Sequence, residues 1–247
     1  METEALSEEE TVTSDSDRLE LTCHVAIFSI IDTQLSLLLT ERNQGPFRFQ
    51  WELPGSIPQP DEDLKAAAAR NYAALSPDVS TSELQQLGTY GFPGRDPRHR
   101  AVAVVYWGIA ANIELAAVQD LEPSNNRLVS VSEFTSEDFR FAFDHGDIAS
   151  DALRSLRHSL AQTSIATALC QPAFTMSELQ RVYEVVFDRT ISAGNFHRKV
   201  RNTPGFVQAA GTSTQKQQRK GRPAQRFEAT EPVDVSPPFD FGATSTI

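Results

Sequence analysis

The 247-residue sequence has only two cysteines, five scattered histidines and no long apolar run, and each shortage removes a class of function. Cys23 and Cys170 lie far apart without Cys-x-x-Cys spacing, so a disulfide framework or zinc ribbon is excluded and both read as small buried hydrophobes. The histidines show no zinc-type spacing; only His145, beside Asp144, stands next to a carboxylate in sequence. No stretch reaches the roughly 18 apolar residues that a bilayer-spanning helix needs. The first residues, Met-Glu-Thr-Glu, do not form a signal peptide, so the sequence reads as cytoplasmic. A phosphate-cradling Gly-x-x-x-x-Gly-Lys loop and a Gly-x-Ser-x-Gly nucleophile elbow are both missing.

What is present is an uneven distribution of charge. The net charge of −11 argues at first against a nucleic-acid partner, because phosphate neutralisation needs Lys and Arg. Between Gln171 and Thr230, however, ten basic side chains face four acidic ones, a local +6 that leaves −17 elsewhere. Such asymmetry is the footprint of an acidic sensor joined to a nucleic-acid reader.

The pattern along the chain divides accordingly. Residues 1–17 are too polar to offset the entropy of ordering and are expected to be disordered, and the Pro-, Ser- and Thr-rich stretch 230–247 reads as a second flexible tail. Residues 18–162 alternate strands and helices. Leu19 to Ile31 and Gln34 to Thr40 are β-rich runs around an Asp32-Thr33 turn, which predicts a hairpin. Asp61 is positioned to cap a helix reaching Leu75. The near-continuous apolar run in Arg100–Ala110 predicts a strand covered on both faces, and Asp144–Leu160 carries a helical apolar stripe. Residues 163–172 read as a linker ending at Gln171-Pro172. Residues 173–229 then begin with a capping box, Thr175-Met-Ser-Glu178, flanked by Phe174 and Leu179 as a hydrophobic staple. Leu179, Val182, Val185 and Val186 form the predicted buried face of that helix. A second helix capped by Ser192 places Phe196 and Val200 inward, and a hairpin with a basic tip follows.

Two constellations carry chemistry. In the second half, Ser192, Asn195, His197, Arg198, Lys199 and Arg201 lie on or beside the second helix, with side chains suited to base edges in a major groove. Lys216, Arg219, Lys220 and Arg222 in the hairpin tip are suited to phosphates. In the first half, Arg95, Arg98 and Arg100 fall within six residues near Tyr90 and Phe92, where guanidinium forks suit phosphate oxygens and aromatic faces suit a nucleobase. Arg42, Arg48, Asp144 and His145 complete the candidate ligand-binding set.

Phe49-Gln-Trp-Glu-Leu-Pro-Gly-Ser56, followed by an Ala-rich helix, resembles the Nudix superfamily, whose motif spaces one Gly, a Glu, an Arg-Glu, a Glu-Glu and a final Gly over a loop and helix. Aligned on it, Ser56 stands at the first Gly, Glu62 at the first Glu and Arg70 at the Arg. Asn71 then replaces a Glu, Ala74 and Leu75 replace the Glu-Glu pair, and Pro77 replaces the closing Gly. Hydrolysis of a diphosphate on that scaffold needs several carboxylates to hold Mg²⁺, so neither catalytic nor metal-binding residues are expected; Glu62 and Arg70 read better as a salt bridge.

The whole pattern resembles the Nudix-related transcriptional regulators of NAD biosynthesis in bacteria. The likeness runs from about Leu21 to Phe227 and includes Arg95-Asp-Pro-Arg98, Phe141-Ala-Phe-Asp-His145, Phe174–Glu184, Asn195-Phe-His-Arg-Lys199 and Gly221-Arg-Pro-Ala224. It implies an α/β Nudix-like mixed-sheet sandwich domain followed by an α+β winged helix-turn-helix domain. It further implies a repressor that acts as a homodimer on a palindromic operator of double-stranded DNA, with ADP-ribose or NAD as effector and no cofactor. The alternatives within the same resemblance are a hydrolase of ADP-ribose-like substrates and a regulator of sugar catabolism.

Overall fold

A computed structural model describes residues 19–73, 84–110, 125–210 and 225–240. The acidic stretch 1–17, Leu75, the hairpin tip and residues 241–247 lie outside these.

The predicted hairpin forms from β1 (Glu20–Ile31) and β2 (Gln34–Glu41), paired from Ile31↔Gln34 to Phe28↔Leu37. Asp32 and Thr33 both have positive φ, 49° and 66°, the backbone hand that a two-residue turn needs to match strand twist. Strand β1 also runs parallel to a later strand, Ala101–Ile109, from Glu20↔Ala101 to Phe28↔Ile109. Around this pair a mixed sheet assembles. In chain order its remaining strands are β3 (Trp51–Glu52), β4 (Gly55–Ser56), β5 (Gln85–Tyr90) and, after Ala101–Ile109 as β6, β7 (Asn126–Ser130). The order is β3-β2-β1-β6-β5, with β4 on β1 and β7 on β2.

Residues alternate across the strands, and helices cover both faces. Val25, Ile27, Leu38, Val104 and Tyr106 meet Ala67, Ala68 and Tyr72 of α1 (Leu64–Ala73). Ala26, Phe28, Leu37, Leu39, Val105 and Trp107 share a core with Ile148, Ala152, Leu156 and Leu160 of the 18-residue helix His145–Gln162. Two-sided burial is why β6 reads as a continuous apolar run. Helix α1 starts two residues later than the expected cap at Asp61 allows: the carboxylate of Asp63 accepts the Ala66 N–H at 2.7 Å. A short helix, α2 (Val131–Phe134), follows β7, and His145–Gln162 is therefore α3.

The second half contains a 3-10 turn (Ile165–Leu169), β8 (Phe174–Thr175), α4 (Met176–Phe187), α5 (Ala193–Asn202), β9 (Val207–Ala209) and β10 (Arg226–Ala229). The capping box of α4 is complete: Glu178 N–H donates to Thr175 Oγ1 at 3.2 Å, and Thr175 N–H donates to the Glu178 carboxylate at 2.6 Å. Phe174 and Leu179 are buried beside it as the staple requires. Tyr183 rather than Val185 completes the buried stripe of α4. The expected hairpin gains a third strand, giving the order β8-β10-β9.

Two expectations are corrected. Residues 163–172 are no linker: Ile165, Ala166 and Leu169 are buried in the core that also holds α4. The 230–240 part of the expected tail is built into the fold, with Val235 buried and Val233 O accepting the Ser164 N–H at 2.9 Å. Its sparse apolar residues find their partners across a gap of some seventy residues, and no local periodicity announces this.

Candidate functional site

The Trp51–Gly55 segment is pinned by two histidines. His24 Nδ1–H donates to Leu53 O at 3.2 Å, and Leu53 N–H donates to His145 Nδ1 at 2.8 Å; the rings meet edge-to-face at 4.8 Å. Burial pushes the pKa of His24 down to about 4 and that of His145 well below the usual imidazole range, so both are neutral. Gly55 is required here because a Cβ would overlap the His24 ring. His145 is thus a packed core residue whose Nδ1 is taken by the Leu53 N–H.

Next to this pin, β4 and α1 hold the remains of the motif box. Arg70 donates to both Glu62 carboxylate oxygens, from Nε at 2.8 Å and Nη2 at 2.7 Å. Those bonds, with the Gln59 N–H, hold the Glu62 carboxyl down to about 2. Buried Asn71 accepts from Ser56 Oγ at 2.7 Å and donates from Nδ2 to Cys23 O at 2.9 Å. The Cys23 thiol donates to Leu64 O at 3.0 Å, and burial raises its pKa to about 11. An anionic cradle for Mg²⁺ does not fit this set: one carboxylate is fully paired, and the next position is an amide committed to backbone. Among the described residues no group of three or more His, Cys, Asp and Glu side chains is arranged to hold a metal ion.

The arginines predicted to bind a ligand converge only in part. Arg42 and Arg98 lie over one ring, Phe143, at 4.7 and 5.6 Å, and Phe47 meets the same ring at 4.9 Å. Each guanidinium has a carboxylate partner, Arg42 with Glu52 and Arg98 with Asp96. Burial raises the Glu52 carboxyl against the opposing pull of Arg42, whereas the Arg98 bonds hold Asp96 below the usual range although burial opposes them. The Arg42 side chain is 12% exposed and that of Arg98 46%, so Arg98 is the more accessible fork. Arg95, at 5% exposure, makes a bidentate pair with Asp144 at 2.9 and 2.7 Å, a clamp at the start of α3. Arg48 lies over exposed Phe49 at 4.6 Å, and Arg100 donates to Gly91 O at 2.7 Å. The aromatic partners are not Tyr90, which donates to Asp151 at 3.0 Å, nor Phe92, which is 77% exposed. Phe47, Phe49 and Phe143 instead hold positive φ of 64°, 66° and 53°, a conformation costly for bulky residues and concentrated at functional sites. Phe143, quoted only within the Phe141–His145 likeness, was not singled out by sequence reasoning, although it directly precedes Asp144.

In the second half, α4 ends at Asp188 in the left-handed region, and α5 rises from the exposed Ser192, whose side chain makes no cap hydrogen bond. Phe196 and Val200 are buried, while Asn195, Arg198 and Arg201 face outward. Arg198 Nη2 donates to Asn195 Oδ1 at 3.1 Å, orienting both. Two expected contacts are placed elsewhere: Lys199 Nζ donates to Pro237 O, and His197 Nε2 is covered by protein. Lys216, Arg219, Lys220 and Arg222 lie outside the described residues.

With this geometry in hand, comparison with known proteins decides the family. The model of the NUDIX domain matches residues 21–151, more than half of the chain. The chain belongs to the NUDIX family. Beyond that NUDIX domain, the model of the NrtR DNA-binding winged helix domain matches residues 166–228, so the fold is a NUDIX domain followed by a winged helix. The ADPR responsive transcriptional repressor NtrR of Acinetobacter baylyi is 29% identical over 182 residues, covering 73% of this chain and 71% of its own length. The ADP-ribose pyrophosphatase of Methanocaldococcus jannaschii is also 29% identical, over 56% of this chain and 77% of its own. Among solved structures, Shewanella oneidensis NrtR complexed with a 27mer DNA superposes with a TM-score of 0.72 at 27% identity, over 85% of this chain and 93% of that one.

Proposed function

We propose that this protein is a transcriptional repressor that reads operator DNA through its winged helix and responds to ADP-ribose, or a related nucleotide such as NAD, through a NUDIX domain that does not hydrolyse it. The observation that carries this reading is α5: a winged-helix recognition element with Asn195, Arg198 and Arg201 outward on a domain matched as NrtR DNA-binding. The Acinetobacter repressor resembles the chain across both halves, whereas the pyrophosphatase resembles 56% of it. The effector meets Arg98 and Arg42 across Phe143, where guanidinium forks suit a diphosphate and the Phe47–Phe143 rings suit an adenine. Two copies on a palindrome, acting on genes of NAD biosynthesis in the cytoplasm, complete the reading.

Operator binding by the full chain tests it. Arg198→Ala relaxes sequence preference and costs about 1–3 kcal/mol on the specific site. Arg98→Ala weakens ADP-ribose binding about ten-fold by calorimetry, the loss of one charge-assisted contact. Undiminished specific binding by Arg198→Ala together with Arg201→Ala would remove the proposed contact surface. The pyrophosphatase likeness supports hydrolysis as a second reading; release of AMP from ADP-ribose with Mg²⁺ at enzyme-like rates would establish it.

A further inference from the structure

The last described residues of the chain lie beyond the winged-helix match, which stops at 228, yet they join the two halves. A helix leaves its final carbonyls without helical partners. At the end of α3 each is taken by a donor from outside the helix's regular ladder: Leu160 O by Tyr183 Oη–H at 3.1 Å, Ala161 O by Phe239 N–H at 2.9 Å and Gln162 O by Val235 N–H at 2.7 Å. Two of the three come from residues 235–239. From that anchorage the Phe239 ring reaches α5, stacking on Phe196 at 5.5 Å and meeting Tyr183 at 5.0 Å and Phe206 at 6.1 Å. Lys199, also on α5, donates to Pro237 O and lies 5.9 Å over the Phe239 ring. Helix α5 is ten residues long with only Phe196 and Val200 buried, too short and too sparsely anchored to hold a fixed pose alone.

We propose that residues 233–239 are a strap that fixes the pose of α5 on α3, with Phe239 and Lys199 as positioning residues for DNA recognition and not groups that touch DNA. The proposal rests on the DNA-binding reading above for its consequence, but its physical content, the restraint of α5, does not need DNA.

The test uses the full chain as Phe239→Ala, Phe239→Tyr, Lys199→Gln and Arg201→Ala. In hydrogen exchange without DNA, Phe239→Ala exposes the amides of Ala193–Asn202 on the order of ten-fold more often, Phe239→Tyr restores protection, and the sheet of the first half is unmoved. On operator DNA across a salt series, Phe239→Ala binds about ten-fold more weakly with an unchanged salt slope, whereas Arg201→Ala lowers the slope by about one. Lys199→Gln, a change at a half-buried side chain outside the core, keeps the wild-type slope. Unchanged protection of α5 in Phe239→Ala, tighter operator binding by that variant, or a slope lowered by about one in Lys199→Gln each overturns the proposal. Failure of the unsubstituted chain to select any operator sinks the DNA reading instead, and the exchange measurement still decides the strap.

Discussion

Asn71 shows at the level of one side chain how a position of the NUDIX motif takes on a structural part. It stands where the NUDIX motif has a glutamate, and its amide joins Ser56 on β4 to the backbone of β1 through one accepted and one donated hydrogen bond. An ionised carboxylate in its place could only accept. Asn71→Asp sets a carboxylate against Cys23 O and is expected to destabilise the fold by about 1–3 kcal/mol, read as a lower urea midpoint at unchanged slope. The buried histidines give a second prediction. The unfolded chain protonates His24 near its ordinary pKa of 6.5 while the folded chain resists until about 4. Stability from this site is therefore complete above pH 6.5 and falls as pH drops towards 4, by about 3 kcal/mol in total. Urea unfolding at pH 7.5, 5.5 and 4.5 measures it, and His24→Gln removes the share of the dependence that comes from His24, leaving that of His145. The replacement of the motif glutamates was legible in the sequence, as was the Glu62–Arg70 pair. The histidine pin was not, because it depends on the 121 positions that separate His24 from His145 closing into one 4.8 Å ring contact.

Among the elements, those whose signals are local were the readable ones. The hairpin turn, the two-sided strand β6, the stripe of α3 and the capping box of α4 all follow from residues within a few positions of each other. Thr175→Ala removes one half of that box and is expected to cost about 1 kcal/mol in thermal or urea unfolding. Elements whose local signals compete, or which depend on distant partners, were misread. Helix α1 offered two aspartates, Asp61 and Asp63, and the cap fell to Asp63 because Glu62 turns back to the Gln59 N–H and Arg70. The stretch 163–172 and the segment after Thr230 have the composition of a linker and a tail, but each supplies backbone bonds that the other accepts. Among the arginines expected to bind a ligand, the cluster was legible, whereas its division into a buried clamp, Arg95, and an accessible fork, Arg98, required the positions of Asp144 and Asp96.

Across the whole molecule, α3 is the element that both halves share. Its 18 residues span about 27 Å. At its first turn Asp144 holds Arg95 next to Phe143, and at its last turn Leu160, Ala161 and Gln162 receive Tyr183 and the segment 235–239. Midway, Arg157 Nε donates to Val186 O at 3.0 Å, tying α3 to the end of α4. A nucleotide that binds two arrangements of this helix unequally shifts the winged helix between them by that difference in affinity, and by no more. Arg157→Met is therefore expected to reduce the change in operator affinity that ADP-ribose produces, with ADP-ribose affinity itself altered less than two-fold in the absence of DNA, a contrast that calorimetry and anisotropy together resolve. The proposed function requires that one chain select DNA and sense a nucleotide it does not consume. The direct measurement is fluorescence anisotropy of the purified chain on the palindrome nearest its own gene, with ADP-ribose and Mg²⁺ added and the nucleotide assayed afterwards. Sequence-selective binding that ADP-ribose shifts, with the ADP-ribose recovered intact, is the predicted result; equal binding to a scrambled duplex, or conversion of the nucleotide to AMP, would contradict it.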